Sequence, residues 1–332
     1  MKIIFDLRNV GLGNNGGSST LVKSGNMLQK LGHDVYFIDS SMNKHTWEEL
    51  DAPHLIIKNT KTIPDADFII ATGYKSVGET VRAPKRCGVK LHWIRAWETW
   101  QYSEPDIVKH VLNAPTIKIV NSICLQQQLK KYKVESYIVR PGYDFDLYHP
   151  TGKRDSVHGK IIVGGLYREG VHGRRKRTEW LFNTARVLKG KHNNVLFYLF
   201  GSEIPPTNSL IDYYLRQPTA EDKNEFYNSV HIWMAPTESE GLHLPPAEAM
   251  MTGCPVVATD ALLSGTQDYL VHNYTGIVTE NNIDSFIDGV LALYHNNEFS
   301  KTLGLNAIKK IEELGDRKAN MIKFIQLLES LT

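Results

Sequence analysis

Short apolar runs alternate with amphipathic helical patterns along the whole chain, and this alternation constrains the fold more than any other feature. The first half contains the strand candidates "KIIFDL", "DVYFID", "HLIIK", "DFIIAT", "KLHWIRA", "IKIVNS" and "SYIVRPG". The second half continues with "KIIVGGL", "NVLFYLFGS", "HIWMAPT", "PVVAT" and "TGIVT". Strands that alternate with helices form parallel sheets with helices on both faces. The sequence therefore predicts an α/β protein built from doubly wound sheets.

The length predicts two domains, because 332 residues exceed what one hydrophobic core usually serves. The segment "RPGYDFDLYHPTGKRDSVHG" is rich in Pro, Gly and polar residues and is typical of a linker. We therefore expect domains at residues 1–150 and 151–315. A last helix, within residues 316–332, could pack on the second domain or cross back to the first. In the first domain, Ser18 and Ser19 are predicted to cap a helix that Gly32 ends.

Composition limits the partners and the compartment. A formal net charge of +2 gives no general attraction to nucleic acid, so no nucleic-acid partner is expected. The three cysteines, Cys87, Cys124 and Cys254, lack metal-ligand spacing and are predicted to be reduced core residues of a cytoplasmic protein. No apolar run approaches the roughly 18 residues of a membrane span, and the first strand candidate starts at Lys2, which leaves no room for a leader. Peripheral membrane contact and the oligomeric state stay open.

Doubly wound sheets bind ligands beyond the carboxyl ends of their strands, so the loops after strands are the candidate sites. The first such loop is "RNVGLGNNGGSST". Glycine lets backbone amides approach a phosphate, and a following helix N-terminus adds partial positive charge. The loop is neither a GxGxxG fingerprint nor a P-loop. An anion-binding loop and a flexible turn are equally consistent with it.

The second candidate loop follows "KIIVGGL" and reads "YREGVHGRRKRTEWL". Five cations cluster there before an amphipathic helix: Arg168, Arg174, Arg175, Lys176 and Arg177. Arginine offers a bidentate fork and lysine a point charge, and both suit a pyrophosphate. The alternative is an ordinary solvated loop.

The third candidate loop lies in "ESEGLHLPPAEAMMTGCPVVAT", after the strand "HIWMAPT". Gly241 permits a tight turn, Pro245 and Pro246 suit a helix start, and Gly253 ends the helix before the next strand. The sequence therefore predicts a strand, a turn and a short helix whose N-terminus faces the ligand edge of the sheet.

Two glutamates flank this turn. Glu240 lies in the loop and Glu248 about one turn into the helix, with the amides near His243 and Leu244 available to an anion. Because the carboxylates lie on different elements, they do not resemble the facing acid and base of a glycoside hydrolase. They suit two groups of hydroxyls on one long ligand. The alternative is a capped helix with surface glutamates.

The segment "EGLHLPPAEAMMTGCPVVA" resembles the Glu-x7-Glu signature of retaining glycosyltransferase family 4. In the same order as in that family, "NNGG" resembles its Gly-Gly loop, "KIVNSICLQQQL" its Ser strand and helix, and "RPGYDFDLYHP" its linker. The resemblance implies the GT-B fold, with two Rossmann-like domains facing across a cleft. It also implies a retaining transfer of sugar from a nucleoside-diphosphate sugar to a hydroxyl of a glycan, lipid-linked or small-molecule acceptor. No metal site and no cofactor are expected.

The resemblance also implies roles for single residues. Glu248 would bind the ribose hydroxyls, Glu240 the donor sugar and Lys176 the phosphates, with Arg168 as the first choice and Arg175 as the second choice for its partner. The remaining donor contacts would come from Gly16, Gly17, Gly241, Leu242, His243 and Leu244. The residues expected at the catalytic centre are Glu240, Lys176, Arg168 and His92.

The segment "LHWIRAWETWQY" corresponds to a stretch that lines the interdomain cleft in the family. Its candidates for the acceptor or the donor sugar are His92, Arg95, Trp97 and Glu98. Aromatic faces suit sugar stacking and charged groups suit hydroxyls. The alternative is a core strand, since its residues also alternate with strand spacing.

Two departures from the family pattern affect the donor sugar. His243 stands where the family usually has Gly, and "LLSGTQDYL" places Asp268 where the family usually has Glu. The nucleotide base, the sugar and the acceptor stay open. The alternative functions are a catalytically silent nucleotide-sugar-binding protein and a related GT-B epimerase or phosphorylase.

Overall fold

A computed structural model describes residues 1–41, 45–156 and 159–332. It divides into two compact units: unit 1 contains Met1–Gly142 and Arg317–Thr332, and unit 2 contains Tyr143–Asp316. The division thus falls before the predicted boundary at residue 150. Tyr143 and Tyr148 of the predicted linker are each 2% exposed and belong to the core of unit 2, packed with Tyr227 and Trp233. Aromatic burial therefore assigns this segment to the second unit.

Unit 1 contains a seven-stranded sheet in which every strand pair is parallel. Its strands are β1 (Lys2–Asp6), β2 (Asp34–Asp39), β3 (His54–Ile56), β4 (Phe68–Ala71), β5 (Val89–Ile94), β6 (Ile117–Val120) and β7 (Tyr137–Ile138). Its first helices are α1 (Gly16–Lys30), α2 (Tyr74–Arg82), α3 (Glu104–Ile107), continued by a π-helical turn at Val108–Leu112, and α4 (Ile123–Lys131). The strand order is β3-β2-β1-β4-β5-β6-β7.

The cap of α1 differs from the prediction. Asn15, not Ser18 or Ser19, is the N-cap residue, and its side chain accepts a hydrogen bond from the Ser18 amide at 2.9 Å. The Ser18 hydroxyl instead accepts from the Gly13 amide at 3.0 Å. Asparagine is among the best N-cap residues, so the helix starts earlier and includes Gly16. At the other end, Gly32 follows the helix with φ +87°, as a stop residue should.

Unit 2 contains a six-stranded sheet, also with parallel pairs throughout. Its strands are β8 (Ile161–Leu166), β9 (Val195–Gly201), β10 (Tyr213–Arg216), β11 (Ile232–Ala235), β12 (Val256–Thr259) and β13 (Gly276–Thr279). Its helices are α5 (Gly170–Lys176), α6 (Thr178–Lys191), α7 (Ala220–Ser229), α8 (Leu244–Met251), α9 (Ile283–His295) and α10 (Asn297–Leu314). The strand order is β10-β9-β8-β11-β12-β13, and apolar clusters cover both faces of the sheet.

Strand β10 was not predicted. It is an edge strand that pairs only with β9 among the described strands, and Tyr213 at its start is 45% exposed. Its four residues lack a buried apolar run, because an edge strand needs to cover less of the core. Of the twelve other strands, eleven lie within the predicted segments, and β5 begins one residue before its segment, at Val89.

The last helix, α11 (Arg317–Glu329), belongs to unit 1. It buries Met321, Phe324 and Leu328 in the core of that unit, with the Phe324 ring 5.6 Å from the ring of Trp93. Of the two arrangements that the sequence leaves open, the structure has the crossing back to the first unit. Within the described residues, none of the helices combines the length and the apolar character that a membrane span requires.

Candidate functional site

Each sheet reverses its strand order at one point, and the loops that meet there form the candidate site of each unit. In unit 1 the reversal falls between β1 and β4, and in unit 2 between β8 and β11. Neighbouring strands at such a point send their helices to opposite faces, so a crevice opens at their carboxyl ends. In unit 2 this brings the cationic segment after β8 next to the glutamate turn after β11.

The cationic segment of unit 2 forms helix α5, so its prediction as a loop was wrong. Lys176 is the last residue of α5, and its side chain is 11% exposed. Cations are favourable at a helix C-terminus because they face the unpaired carbonyls. Arg177 then turns the chain into α6 with φ +51° and lies over the Trp180 ring at 4.3 Å. The residues of the cluster thus point to different partners.

The turn after β11 is fixed to α5 through the backbone. The Glu238 amide donates to the Arg175 carbonyl at 3.0 Å, and the Glu240 amide donates to the Leu263 carbonyl at 2.6 Å. The Glu240 carboxylate then lies 2.6 Å from Lys176 Nζ and 3.8 Å from Arg175 Nη2. These contacts place two of the predicted cations and one predicted glutamate in a single cluster.

The two candidate partners of Lys176 differ in their contacts. Arg175 shares Glu240 with Lys176, whereas Arg168 Nε pairs with Glu203 Oε1 at 2.6 Å. Both arginines lie close enough to lower the pKa of Lys176, after the larger effect of burial. Arg175, the second choice from the sequence, is therefore the one that contacts the same carboxylate.

The electrostatics of this cluster keep Glu240 ionised. Burial acts to raise the pKa of the Glu240 carboxyl, but the positive charge of Lys176, with a contribution from Arg175, outweighs it and lowers the pKa to about 2. The pKa of Lys176 falls below its usual value because burial outweighs the attraction of Glu240. The arrangement is a buried ion pair with excess positive charge beside it.

The N-terminus of α8 completes the site but offers few amide donors. Leu244 is the first helical residue and is followed by Pro245 and Pro246, which carry no N–H. Of the first four helical positions, only Leu244 and Ala247 therefore provide an amide. An anion would be bound by the amides of the turn and by Lys176 rather than by a full first helical turn.

His243, the N-cap residue of α8, has an unusual backbone. Its φ of 51° and ψ of 67° lie in the left-handed region, and the residue is 5% exposed. For a non-glycine residue this conformation is strained, and the strain typically costs about 1–3 kcal/mol of conformational free energy. The backbone is fixed by Tyr269, whose hydroxyl donates to the His243 carbonyl at 2.7 Å.

Glu248 lies in a separate set of contacts on α8. Its carboxylate accepts a hydrogen bond from the Tyr227 hydroxyl at 2.8 Å and pairs with Lys223 at 3.3 Å. Burial, followed by the charge of Glu248, raises the pKa of Tyr227 well above its usual value, so the phenol stays a donor. A carboxylate has about four acceptor positions, so two partners leave it able to accept from hydroxyls of a ligand.

The corresponding site of unit 1 is a cavity of about 440 Å³. It is lined by the loop after β1 and by Arg95, and specifically by Val10, Gly11, Leu12, Gly13, Asn15, Ser18 and Arg95. Gly16 and Gly17 form the first turn of α1 beside it. Arg95 donates one hydrogen bond to the Gly17 carbonyl and another, of 2.6 Å, to the Thr72 carbonyl. These two hydrogen bonds join α1 to the end of β4.

The other candidates of unit 1 are largely core residues. His92 is fully buried against Tyr74, and burial, followed by the charges of Lys118 and Arg95, lowers its pKa to about 3. Trp97 is 3% exposed and stacks on Tyr132. Glu98 faces the N-terminus of α2, where the Tyr74 backbone hydrogen-bonds it, although burial raises its pKa. The ligand roles of these residues stay predictions, and those of His92 and Trp97 would require buried rings to become accessible.

Several residues of the site were not found from the sequence. Tyr227 and Lys223 contact Glu248 from α7. A local sequence pattern does not predict a contact between residues that are more than twenty positions apart. Gly265 lies against the turn, because a Cβ there would be 3.0 Å from the Glu240 Cβ. Its φ of +76° requires glycine, so the glycine in "LLSGTQDYL" was the available signal.

Among the parts of the chain that the structure describes, no group of three or more His, Cys, Asp or Glu side chains is placed to hold a metal ion.

Fold and site together define a doubly wound α/β protein whose second unit concentrates cations, a carboxylate and a helix start at its switch point. Residues 161–296, within unit 2, match the family model described as Glycosyl transferases group 1. The poly(ribitol-phosphate) alpha-N-acetylglucosaminyltransferase of Staphylococcus aureus (strain COL) is 26% identical over 165 residues, which are 47% of this chain and 33% of that protein. The capsular polysaccharide biosynthesis glycosyltransferase CapM of Staphylococcus aureus is 24% identical over 177 residues, which are 50% and 43% of the two chains. The chain thus spans less than half the length of the curated relatives it matches.

Solved structures resemble the whole chain. Sucrose-phosphate synthase from Thermosynechococcus elongatus has a TM-score of 0.79 at 17% identity and covers 100% of this chain and 99% of its own. Anabaena HepE, solved with UDP and glucose, has a TM-score of 0.81 at 14% identity, with coverage of 99% and 100%. At identities of 17% and 14%, this structural similarity establishes the fold alone. The predicted fold class, two Rossmann-like doubly wound domains of the GT-B type, is confirmed.

Proposed function

We propose that the protein is a retaining, metal-independent glycosyltransferase that moves a sugar from a nucleoside-diphosphate sugar to an acceptor hydroxyl. The observation that carries the proposal is the convergence of Lys176 and Arg175 on Glu240 beside the start of α8. The match of residues 161–296 to the group 1 family model and the names of the relatives support it. Assignment to family 4 is part of the proposal.

Charge on the leaving group explains why this geometry suits the reaction. When the bond between sugar and phosphate breaks, negative charge develops on the diphosphate. Lys176 and Arg175 would stabilise that charge in a site that is largely removed from water. The ion pair with Glu240 holds Lys176 in place until the diphosphate shares it. Arg168 would contribute at longer range while paired with Glu203.

Glu240 is proposed as a ligand of the donor sugar and not as a nucleophile. A carboxylate paired with lysine at 2.6 Å and held at a pKa of about 2 is a weak base. In the proposed mechanism the acceptor hydroxyl attacks from the face that the diphosphate leaves, and a phosphate oxygen takes the hydroxyl proton. The configuration at the anomeric carbon is then retained without a covalent enzyme intermediate.

The remaining donor contacts follow from the arrangement of unit 2. Glu248 would accept hydrogen bonds from the ribose hydroxyls, with Tyr227 and Lys223 holding its carboxylate. The amides between Gly241 and Leu244 would bind the diphosphate and the sugar. In unit 1, Gly16 and Gly17 would approach the diphosphate, while Arg95, Glu98, His92 and Trp97 would serve the acceptor side. The acceptor is a hydroxyl of a glycan, a lipid-linked compound or a small molecule, and a cytoplasmic location remains part of the proposal.

The test is a transfer assay with the full chain. Nucleoside-diphosphate sugars are presented with candidate acceptors, with and without a chelator, and release of nucleoside diphosphate is measured together with the anomeric configuration of the product by NMR. We expect release with an α-linked donor giving an α-linked product at the same rate in the chelator. Nucleotide binding without release in any pairing would instead support the silent binding protein, and an epimerised or phosphorolysed product would support the other GT-B enzymes.

A further inference from the structure

Unit 2 contains a second cavity, of about 340 Å³, between its sheet and helix α7. Ile162, near the start of β8, and Tyr213, the first residue of β10, line it. The switch point lies at the other, carboxyl ends of these strands, and neither Lys176 nor Glu240 lines the cavity. A volume of this size is typical of small-molecule sites. The cavity is therefore a candidate site separate from the one proposed for the donor.

Helix α7 presents different residues to the two places. Lys223 and Tyr227 contact Glu248 on one side of the helix. The residues of α7 that line the cavity recur at the spacing of a single helical face: Asp222, Glu225, Phe226 and Ser229. Residues three and four positions apart lie next to each other on a helix surface. A substitution on the cavity face therefore leaves the contacts of Glu248 in place.

Three aromatic rings pack together at the cavity. Tyr198 on β9 and Tyr213 on β10 are register partners, and their ring centroids are 5.2 Å apart. The Phe226 ring lies 6.3 Å from the first and 6.4 Å from the second. Since β10 is an edge strand, Tyr213 keeps 45% of its surface exposed. An exposed aromatic face suits stacking against the C–H face of a sugar ring.

The charged groups at the cavity limit its occupant. Lys153 Nζ pairs with Glu225 Oε2 at 2.6 Å, and Asp222 Oδ2 accepts a hydrogen bond from the Thr219 amide at 2.9 Å. Two carboxylates and one ammonium group give a net charge of −1, which disfavours a phosphate or another anion. An apolar side chain would remove these groups from water without replacing their hydrogen bonds. A neutral sugar offers an apolar face to the rings and hydroxyl donors to the carboxylates.

We propose that this cavity is a second carbohydrate-binding site, which holds one pyranose residue of a neutral glycan against Tyr213. The hydroxyls of that residue donate hydrogen bonds to Asp222 and Glu225. The site goes beyond the proposed function, because binding there requires neither a donor nor a transfer step. A glycan chain held at a second point stays at the protein longer than one that is bound at a single point.

The experiment is a calorimetric titration of the full chain with maltohexaose, cellohexaose, chitohexaose and mannohexaose. A saturating nucleoside diphosphate is present throughout, so that the donor site does not contribute. Tyr213→Ala removes the exposed ring, whereas Ser229→Leu keeps the rings and fills the cavity. Tyr274→Ala is the matched control, because Tyr274 is 52% exposed and precedes β13, at the other edge of the same sheet.

We expect at least one of these oligosaccharides to bind wild type and Tyr274→Ala with Kd values that agree within about twofold. Its Kd should rise about tenfold in Tyr213→Ala, since an aromatic anchor carries much of the binding energy of a small site. Ser229→Leu should weaken binding by a similar factor because it occupies the space of the sugar. Tyr213→Phe, which keeps the ring, should stay within about threefold of wild type. Thermal unfolding of each variant checks that it folds.

Two results would overturn the inference. The first is that wild type binds none of the four oligosaccharides. The second is a Kd that stays unchanged in folded Tyr213→Ala or in folded Ser229→Leu, which would assign the sugar to another part of the chain. Self-association of wild type that Tyr213→Ala abolishes, in place of sugar binding, would assign the surface to a second copy of the chain.

The titration also separates this inference from the proposed function. Sugar binding that depends on Tyr213, in a protein that transfers no sugar from any donor, would refute the proposed function alone. Transfer by a protein whose sugar binding does not depend on Tyr213 and Ser229 would refute the second site alone.

Discussion

The two switch points use buried charge in different ways. In unit 1, Asp6 pairs with Arg8 at 2.6 Å, yet burial outweighs that pairing and the pKa of Asp6 is raised. In unit 2, Glu240 is also buried, but Lys176 and Arg175 lower its pKa to about 2. Arg8 also pairs with Glu79, and Arg95 binds backbone carbonyls.

This difference separates structural charge from charge that a ligand can use. Arg95 donates to the main-chain carbonyls of Gly17 and Thr72, and a phosphate that took over its guanidinium would break the link between α1 and the end of β4. Lys176 is bound to a side-chain carboxylate, which can move and share the cation with an incoming phosphate. A site that must bind an anion transiently needs the second arrangement, and unit 2 has it. The following predictions test this distinction.

The largest expected effect is the loss of Lys176. In the transfer assay, Lys176→Ala should lower kcat/KM by about 10²–10³-fold, since it removes a fixed group that stabilises charge on the leaving diphosphate. Lys189→Ala is the control, because Lys189 forms a 2.7 Å pair with Asp212 in the same unit, away from Glu240.

Lys176→Ala leaves Glu240 buried without its partner. The double variant Lys176→Met, Glu240→Gln removes both charges, so its free energy of unfolding tests whether impaired folding explains the loss of kcat/KM in Lys176→Ala. A kcat/KM within about threefold of wild type in Lys176→Ala would contradict the role of Lys176.

The second prediction concerns stability and pH. The folded pKa of Glu240, about 2, lies below its ordinary value of 4.5, so its contribution to stability is present above pH 4.5 and is lost as the pH falls towards 2. Urea unfolding should show that wild type loses about 2–3 kcal/mol more than Glu240→Gln over this range. Glu313→Gln, in an exposed pair with Lys310, should follow wild type. Parallel curves for wild type and Glu240→Gln would refute the ion-pair argument.

The third prediction concerns Arg95 in unit 1. Arg95→Lys cannot donate to both the Gly17 and Thr72 carbonyls, so the free energy of unfolding should fall by about 1–3 kcal/mol. Kd for a nucleoside diphosphate should change by less than about twofold if the arginine only holds the fold. Arg82→Lys, an exposed residue of α2, is the control. Unchanged stability together with weaker nucleotide binding would place Arg95 in the nucleotide site.

The smallest expected effect is at Glu248. Calorimetry with a ribonucleoside diphosphate and its 2′-deoxy analogue should show wild type preferring the ribose form, with Kd rising about tenfold for Glu248→Gln and the preference disappearing. Tyr227→Phe, which removes one hydrogen bond to the carboxylate, should weaken binding less. A preference that survives in Glu248→Gln would assign ribose recognition to another group.

Much of this architecture could be predicted from the sequence, because hydrophobic periodicity is local. Twelve of the strands, the short helix α8 and its stop at Gly253 follow from the alternation of apolar runs and from the positions of proline and glycine. Edge strand β10 was missed because it buries little. The structure divides the chain before the predicted boundary at residue 150, because Tyr143 and Tyr148 lie in a segment with the composition of a linker but pack into the core of unit 2.

The sequence by itself determined the two parallel sheets, the order of the loops and the residue types that reach the ligand edge. Only the tertiary structure decided that Arg175 and not Arg168 shares Glu240 with Lys176, that Tyr227 and Lys223 hold Glu248, and that His243 lies buried in a left-handed turn opposite Gly265. These contacts join residues on different elements. Their energies depend on distance and burial in the folded chain, which spacing along the sequence does not encode.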